Sequence, residues 1–275
     1  MARVSSRAAA PTAGEPMAPK PRRTRTDPDQ LPQVTLSEDS EVRFLHLGTE
    51  WIQGSMLIDR PFEIELEYVQ RMLAWLLFVE PDRVPKRRAM QLGLGAAALT
   101  KFHFKVLKMD TTAIEINPQV VAACRTWFKL PPDSARLRVI LGDAAEVVAH
   151  VPFHGTVDAL QVDLYDHEAA APVLDSPAFY ADCRSMLTDE GVMTVNLFGR
   201  DASYERSLAS ITEAFGQDAV WAFKPTREGN TVVLALRTPQ PLPRTTLMLR
   251  AEAIQARWGL PATKWLRVFL PVVAA

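Results

Sequence analysis

Two carboxylates three residues apart, Asp163 and Asp166, are the leading candidates for chemistry in this 275-residue chain. They bound the segment Asp163-Leu164-Tyr165-Asp166, which follows the apolar run Val157–Val162. A free amine titrates at about 10, so at neutral pH it is mostly protonated and cannot attack. A nearby carboxylate can bind the ammonium, orient it and accept its proton as the nitrogen attacks an electrophilic carbon. The same two residues could instead cap a loop or hold water. His167 and Glu168 adjoin them, but no second cluster at ligand spacing does, and no metal site is expected.

A second group of residues suits a nucleoside. Gly93-Leu94-Gly95 follows the apolar stretch Ala89–Leu92, and two residues without a Cβ let the chain turn sharply and lie close to a ligand. Glu115 stands near the end of the next β-like run, Thr112–Ile116, where a carboxylate can take ribose hydroxyls. Gly142-Asp143-Ala144 follows the run Leu137–Leu141, where Asp143 can reach the exocyclic amine of an adenine or simply cap a helix. Gly93 to Ala98 also satisfies the G-x-G-x-x-A form of the dinucleotide fingerprint, so a nicotinamide enzyme is an alternative. Asp143 and a closing β-hairpin favour an adenosyl-sulfonium ligand over it.

These residues need a sheet whose strand ends all face one crevice, and the pattern supplies one. Five strands alternate with helices, the fifth being Gly191–Leu197, and Ala219–Phe223 with Thr231–Leu236 reads as an antiparallel hairpin. The expected fold is α/β: a doubly wound, mainly parallel, seven-stranded sheet like the Rossmann-type class I methyltransferases. Residues 1–35 are expected to be a disordered tail, 36–61 a small N-terminal β-rich hairpin subdomain, 62–240 the Rossmann-like catalytic domain, and 241–275 a helical extension. Within these, Phe62–Val79 is expected to be one long helix, with Phe62, Leu66, Val69, Leu73 and Leu76 as its buried stripe. Leu247–Leu270 is expected to be helical with a break at Gly259 and Pro261.

Composition narrows the function. Hydrophobic residues make up 48% and charged residues 23%, the values of a globular protein. Residues 1–30 hold six basic residues against three acids, leaving 25 basic and 29 acidic residues in the rest. An acidic body disfavours nucleic acid as a partner and permits a cationic substrate. The apolar run Met72–Val79 is too short to span a bilayer, so no membrane role is expected. Cys124 and Cys183 match no metal spacing and read as buried thiols, which suits a cytoplasmic location.

The motifs together resemble the spermidine synthases, or polyamine aminopropyltransferases, over roughly Val42 to Arg237. Leu92-Gly93-Leu94-Gly95 is similar to the family's glycine-rich turn, and Ala113-Ile114-Glu115-Ile116-Asn117 to its ribose strand. Gly142-Asp143-Ala144 resembles its adenine-contacting segment, and Ser176-Pro177-Ala178-Phe179-Tyr180 its helix start. Asp163-Leu164-Tyr165-Asp166 resembles a D-S-S-D motif, which implies that Asp163 deprotonates the amine and Asp166 holds it. Trp51-Ile52-Gln53 resembles a β-motif whose Gln contacts the nucleoside. Tyr68 lies near the position of a substrate-gripping Tyr, and Tyr165 falls within the amine motif. The sequence departs from the family at Ala96, which stands where an Asp holds the cationic aminopropyl end of the donor. Leu164-Tyr165 replaces two serines, and His167 a proline.

The resemblance implies an aminopropyltransferase of polyamine biosynthesis, with decarboxylated S-adenosylmethionine as co-substrate, no permanently bound cofactor, and an amine such as putrescine as acceptor. A homodimer is the expected assembly. An S-adenosylmethionine-dependent methyltransferase and a non-catalytic nucleoside- or polyamine-binding relative are the alternatives.

Overall fold

The computed structural model describes residues 31–164, 172–198 and 202–272. Strands β1 (Val34–Asp39), β2 (Val42–Leu47) and β3 (Ile52–Leu57) form an antiparallel meander. β2 and β3 are the expected hairpin. β1 is an addition that starts at Val34, two residues inside the segment read as tail. Its sequence, VTLSED, shows no apolar face because the strand is mostly exposed. Backbone pairing to β2 and a bond from the Val34 N–H to the Gln119 side chain (3.2 Å) hold it. Leu45 and Met56 are the meander's fully buried apolar side chains, packed with Leu94, Ala96, Ala97 and Phe128.

The long helix expected over Phe62–Val79 does not form. An extended connector leads to the short helix α1 (Glu67–Arg71), followed by a tight 3₁₀ segment, Ala74–Phe78. Every residue from Met72 to Val79 is buried, so the run packs on all sides rather than along one stripe. A three- or four-residue apolar spacing is then satisfied by any run of apolar residues and says nothing about a helix face.

The main sheet follows the expected alternation. β4 (Arg88–Leu92) leads through the glycine turn to α2 (Ala98–Lys101), which runs on as a π-turn, Phe102–Val106. β5 (Asp110–Glu115), α3 (Pro118–Thr126), β6 (Leu137–Leu141) and α4 (Ala144–Val148) come next. β7 (Val157–Val162), α5 (Pro177–Met186), β8 (Leu187–Phe198) and α6 (Ala202–Phe215) complete the alternating part. β9 (Val220–Phe223) and β10 (Asn230–Leu236) form the antiparallel hairpin. The order is β11-β9-β10-β8-β7-β4-β5-β6, with β8, β7, β4, β5 and β6 parallel.

Seven of these strands are the expected set; an eighth, β11 (Phe269–Pro271), pairs with β9 at the edge. It ends the segment expected to be helical to Leu270. α7 (Arg244–Trp258) stops at Gly259, whose φ of +72° is a left-handed cap, and after the single turn of α8 (Ala262–Trp265) the chain returns to the sheet. Phe269 drives the return, stacking on Trp221 and Phe223 at ring distances of 5.3 and 4.6 Å.

The strand order reverses at β4, with β5 and β6 on one side and β7 and β8 on the other. Ligands of open α/β sheets bind outside the carboxyl ends at such a point. The meander forms one wall there. A Cβ on Gly54 would lie 2.6 Å from the Ala96 nitrogen and 2.7 Å from its Cβ, so β3 rests directly on the glycine turn. Gly54→Ala should therefore lose stability by about 1–3 kcal/mol, the usual cost of overpacking. Urea unfolding should show a lower midpoint at unchanged slope; an unchanged midpoint would mean that β3 and the turn part easily.

Candidate active site

Gly93 is where the site begins. Its φ is +82°, and a Cβ there would collide with the carbonyl oxygen of Asp163. Only glycine allows the end of β4 to pass so close to the end of β7. The Asp163 N–H donates to the Leu92 carbonyl at 2.9 Å, and the Gly93 N–H to the Ile114 carbonyl at 2.9 Å. Gly95 (φ +51°) continues the turn beneath the Gln53 carbonyl.

Glu115 holds this turn from below. One carboxylate oxygen accepts the Leu94 N–H at 2.9 Å and the other the Asn117 N–H at 2.8 Å. Burial pushes its carboxyl above the ordinary range, while backbone donors from Asn117, Leu94 and Ile116 pull the other way. A carboxylate has about four acceptor positions, so the three backbone donors leave room for one further bond. Asp143 caps α4 through the Ala145 N–H at 2.7 Å, and Ala144 is buried behind it. Glu115 and Asp143 end adjacent parallel strands, joined by the Gly142 N–H to the Glu115 carbonyl at 2.9 Å.

Asp163 ends β7. Its Oδ1 accepts the Asn196 side-chain amide at 3.0 Å, and the Tyr68 hydroxyl lies 3.5 Å from its Oδ2. Asn196 is held in turn by the Asn230 amide at 3.1 Å. Burial pushes the Asp163 carboxyl up to about 6, against the pull of the bonds from Asn196 and Tyr68. An acid tuned this far is ionised at neutral pH yet basic enough to take a proton.

A shallow cleft brings Gln53, Tyr68, Gly95, Ala96 and Asp163 together, with Gly54, Ser55 and Glu65 on the meander side. Gly93 and Glu115 support it from beneath, whereas Asp143 and Ala144 lie along the next strand end and do not line it. Tyr165 and Asp166 lie outside the described residues. The sequence reading missed Asn196, Asn230 and Glu65. An amide near the end of the apolar strand VMTVNLF was the available signal for Asn196, since such a group must find a partner.

Among the described residues no group of three or more His, Cys, Asp and Glu could hold a metal ion, and no helix is long and apolar enough to cross a membrane. Cys124 and Cys183 are buried and unpaired as disulfides, and burial pushes both thiols up.

No family model matches the chain. It is 33% identical over 242 residues, 87% of this chain and 89% of the relative, to a polyamine aminopropyltransferase of Neisseria meningitidis. A probable spermidine synthase of Corynebacterium glutamicum superposes with a TM-score of 0.68 at 18% identity, covering 83% of this chain and 85% of that one. Human methyltransferase-like protein 13, solved in complex with SAH, superposes with a TM-score of 0.64 at 22% identity, covering 70% of this chain and 92% of that one. The two structures share the fold.

The pH behaviour of Asp163 gives a direct check. Its folded-state pKa of about 6 lies above that of an unfolded aspartate, so the folded state is weakened as pH rises through this interval. Asp163→Asn removes the buried charge and keeps an oxygen for Asn196. The variant should match the parent near pH 4 and exceed it in stability above pH 6, by on the order of 1–3 kcal/mol. Urea midpoints across this range would measure the divergence; parallel curves would remove Asp163 from its buried setting.

Proposed function

The chain belongs to the polyamine aminopropyltransferase family, and from that premise we propose that it transfers the aminopropyl group of decarboxylated S-adenosylmethionine to an amine such as putrescine. The observation that carries the proposal is Asp163: a carboxylate raised to about 6, at the strand-order reversal, in a cleft whose charged lining residues among those described are the acids Glu65 and Asp163.

In this reading the donor's nucleoside lies over the glycine turn. Gly93 and Gly95 present backbone beneath it, Glu115 takes the ribose hydroxyls, and Asp143 takes the adenine amine through the oxygen not used most closely by Ala145. Gln53 and Ala144 flank the nucleoside. Nothing is permanently bound; the donor is a co-substrate. The acceptor arrives as an ammonium, drawn by the acidic cleft. Asp163 accepts one proton, helped in orientation by Tyr68 and Asn196. The freed nitrogen attacks the methylene carbon beside the sulfonium, the C–S bond breaks, and its electron pair stays on sulfur. Methylthioadenosine leaves uncharged, and the new secondary amine carries the positive charge. Asp166 is assigned the anchoring of the ammonium, with Tyr165 beside it.

The same reading extends to a cytoplasmic homodimer that engages neither nucleic acid nor membrane. It also divides the chain into an N-terminal β-meander, a Rossmann-like catalytic domain and a C-terminal extension. One feature favours the methyltransferase alternative: Ala96 leaves the turn side of the cleft without an acid that would repel a donor carboxylate. Incubation with each donor and a panel of amines separates the two. Methylthioadenosine supports aminopropyl transfer, S-adenosylhomocysteine methyl transfer, and neither product a binding role.

Asp163→Asn should lower turnover by about 10²–10⁴-fold, the usual contribution of a general base. It should also abolish the rise of kcat/KM through a pH of about 6 that deprotonation of Asp163 gives the parent. Higher pH should partly rescue the variant, because more acceptor is then free base. Asp166→Asn should raise the KM for the amine more than it lowers kcat, as expected of an anchor. Full turnover in Asp163→Asn would reject the mechanism.

A further inference from the structure

Beneath the site lies a cluster of buried polar atoms that the reaction above does not use. Gln161 stands two residues before Asp163 on β7, so the two side chains share one face of the sheet. It is fully buried, and among the described residues neither its amide oxygen nor its amide nitrogen has a hydrogen-bond partner. Its neighbours in register are Gln91 on β4 and Thr194 on β8. Gln91 Oε1 accepts the Thr100 hydroxyl of α2 at 2.5 Å, and the Thr194 hydroxyl donates to the Met72 carbonyl at 2.9 Å. Gln161 therefore faces the seam between α2 with its π-turn and the 3₁₀ segment Ala74–Phe78. Three residues beyond Met72 and Thr100, Trp75 and His103 stack on each other with ring centroids 5.9 Å apart. Both are fully buried, and among the described residues Trp75 Nε1 and His103 Nε2 also have no hydrogen-bond partner.

We infer that Gln161, Trp75 and His103 enclose an internal water site that joins β7 to the 3₁₀ segment and the π-turn. The chemistry of the unpaired atoms selects the occupant. His103 Nδ1 lies 2.8 Å from the Leu99 carbonyl and must donate to it, which leaves Nε2 as an acceptor. Burial pushes the imidazole down to about 4, so at neutral pH the ring is uncharged and Nε2 keeps its lone pair. An indole N–H can only donate, whereas a primary amide both donates and accepts. Water meets all of these needs. It gives hydrogens to His103 Nε2 and Gln161 Oε1 and accepts from Trp75 Nε1 and Gln161 Nε2. A cation would confront the N–H donors, and an anion the imidazole lone pair. An internal water makes about three hydrogen bonds to groups of this kind. Ala89 and Ala159, which precede Gln91 and Gln161 on the same face, present only methyl groups to the seam. The water thus fastens, from beneath the cleft, the segments that present Tyr68, the glycine turn and Asp163.

Two measurements on the full chain test this. A high-resolution crystal structure should show water within hydrogen-bonding distance of Gln161 and of at least one of Trp75 Nε1 and His103 Nε2. A dry seam, or a Gln161 amide turned to bond protein groups, would overturn the inference. The second measurement is the urea midpoint of Gln161→Leu, which puts an apolar side chain of similar size in place of the amide. An amide buried without partners is destabilising, so in a dry seam the leucine raises the midpoint. An amide bonded to water is satisfied, and its loss leaves the water short of partners, so the midpoint should fall. A raised or unchanged midpoint would reject the site. Trp75→Phe removes the indole donor with part of the ring. It should lower the midpoint less in the Gln161→Leu background than in the parent, because both residues act on the same water. Equal losses in the two backgrounds would separate Trp75 from Gln161 and overturn the shared site. If Gln161→Leu does not fold, the crystal structure of the parent decides.

Discussion

The close passage of Gly93 beneath the carbonyl of Asp163 is the constraint on which the rest depends. It lets the adjacent parallel strands β4 and β7 end within one hydrogen bond of each other. Once that contact is made, the Gly93–Gly95 turn has little freedom. Glu115 takes its Leu94 N–H from below, the Cys124 thiol donates to the Gly95 carbonyl at 3.1 Å, and Gly54 presses on Ala96 from above. A side chain at position 93 would not merely crowd the site. It would push the end of β7 away from the glycine turn.

The amides behind Asp163 show how the chain reconciles a buried acid with a stable sheet. Asn230 on β10 bonds Asn196 on β8, and Asn196 bonds Asp163 on β7, so three consecutive strands of the sheet contribute one polar chain. Each amide is nearly buried and would be costly alone. Together they favour the ionised carboxylate enough to limit, but not cancel, the rise that burial imposes. The residual rise weakens the fold at neutral pH.

Much of this was legible in the sequence, for identifiable reasons. Gly93, Glu115, Asp143 and Asp163 each follow an apolar strand, so their positions were given once the alternation of strands and helices was recognised. The closing hairpin was equally plain. Asn196 had a local signal that went unread, an amide within an apolar strand, whereas the missed strands had none. β1 is polar and mostly exposed, and backbone pairing alone marks it as a strand. β11 is three residues long and depends on aromatic partners some fifty and nearly two hundred positions away, Trp221 and Phe78. The apolar run around Trp75 mimicked a helix stripe because it is buried on every side.

The meander's reliance on the glycine turn also bears on the order in which the molecule is completed. β1 to β3 leave the ribosome before any strand of the main sheet, yet a three-stranded ribbon whose fully buried apolar side chains are Leu45 and Met56 has too little to bury by itself. The surface it needs is made of Leu94, Ala97, Val120 and Phe128, all synthesised later. The earliest segment is therefore among the last to settle, and it is also the first that local opening can release. A chain with its parallel sheet already formed would still lack Gln53, Ser55 and the wall they belong to. The cleft is thus a checkpoint: a complete wall reports that the meander, and not the central sheet alone, has reached its native arrangement.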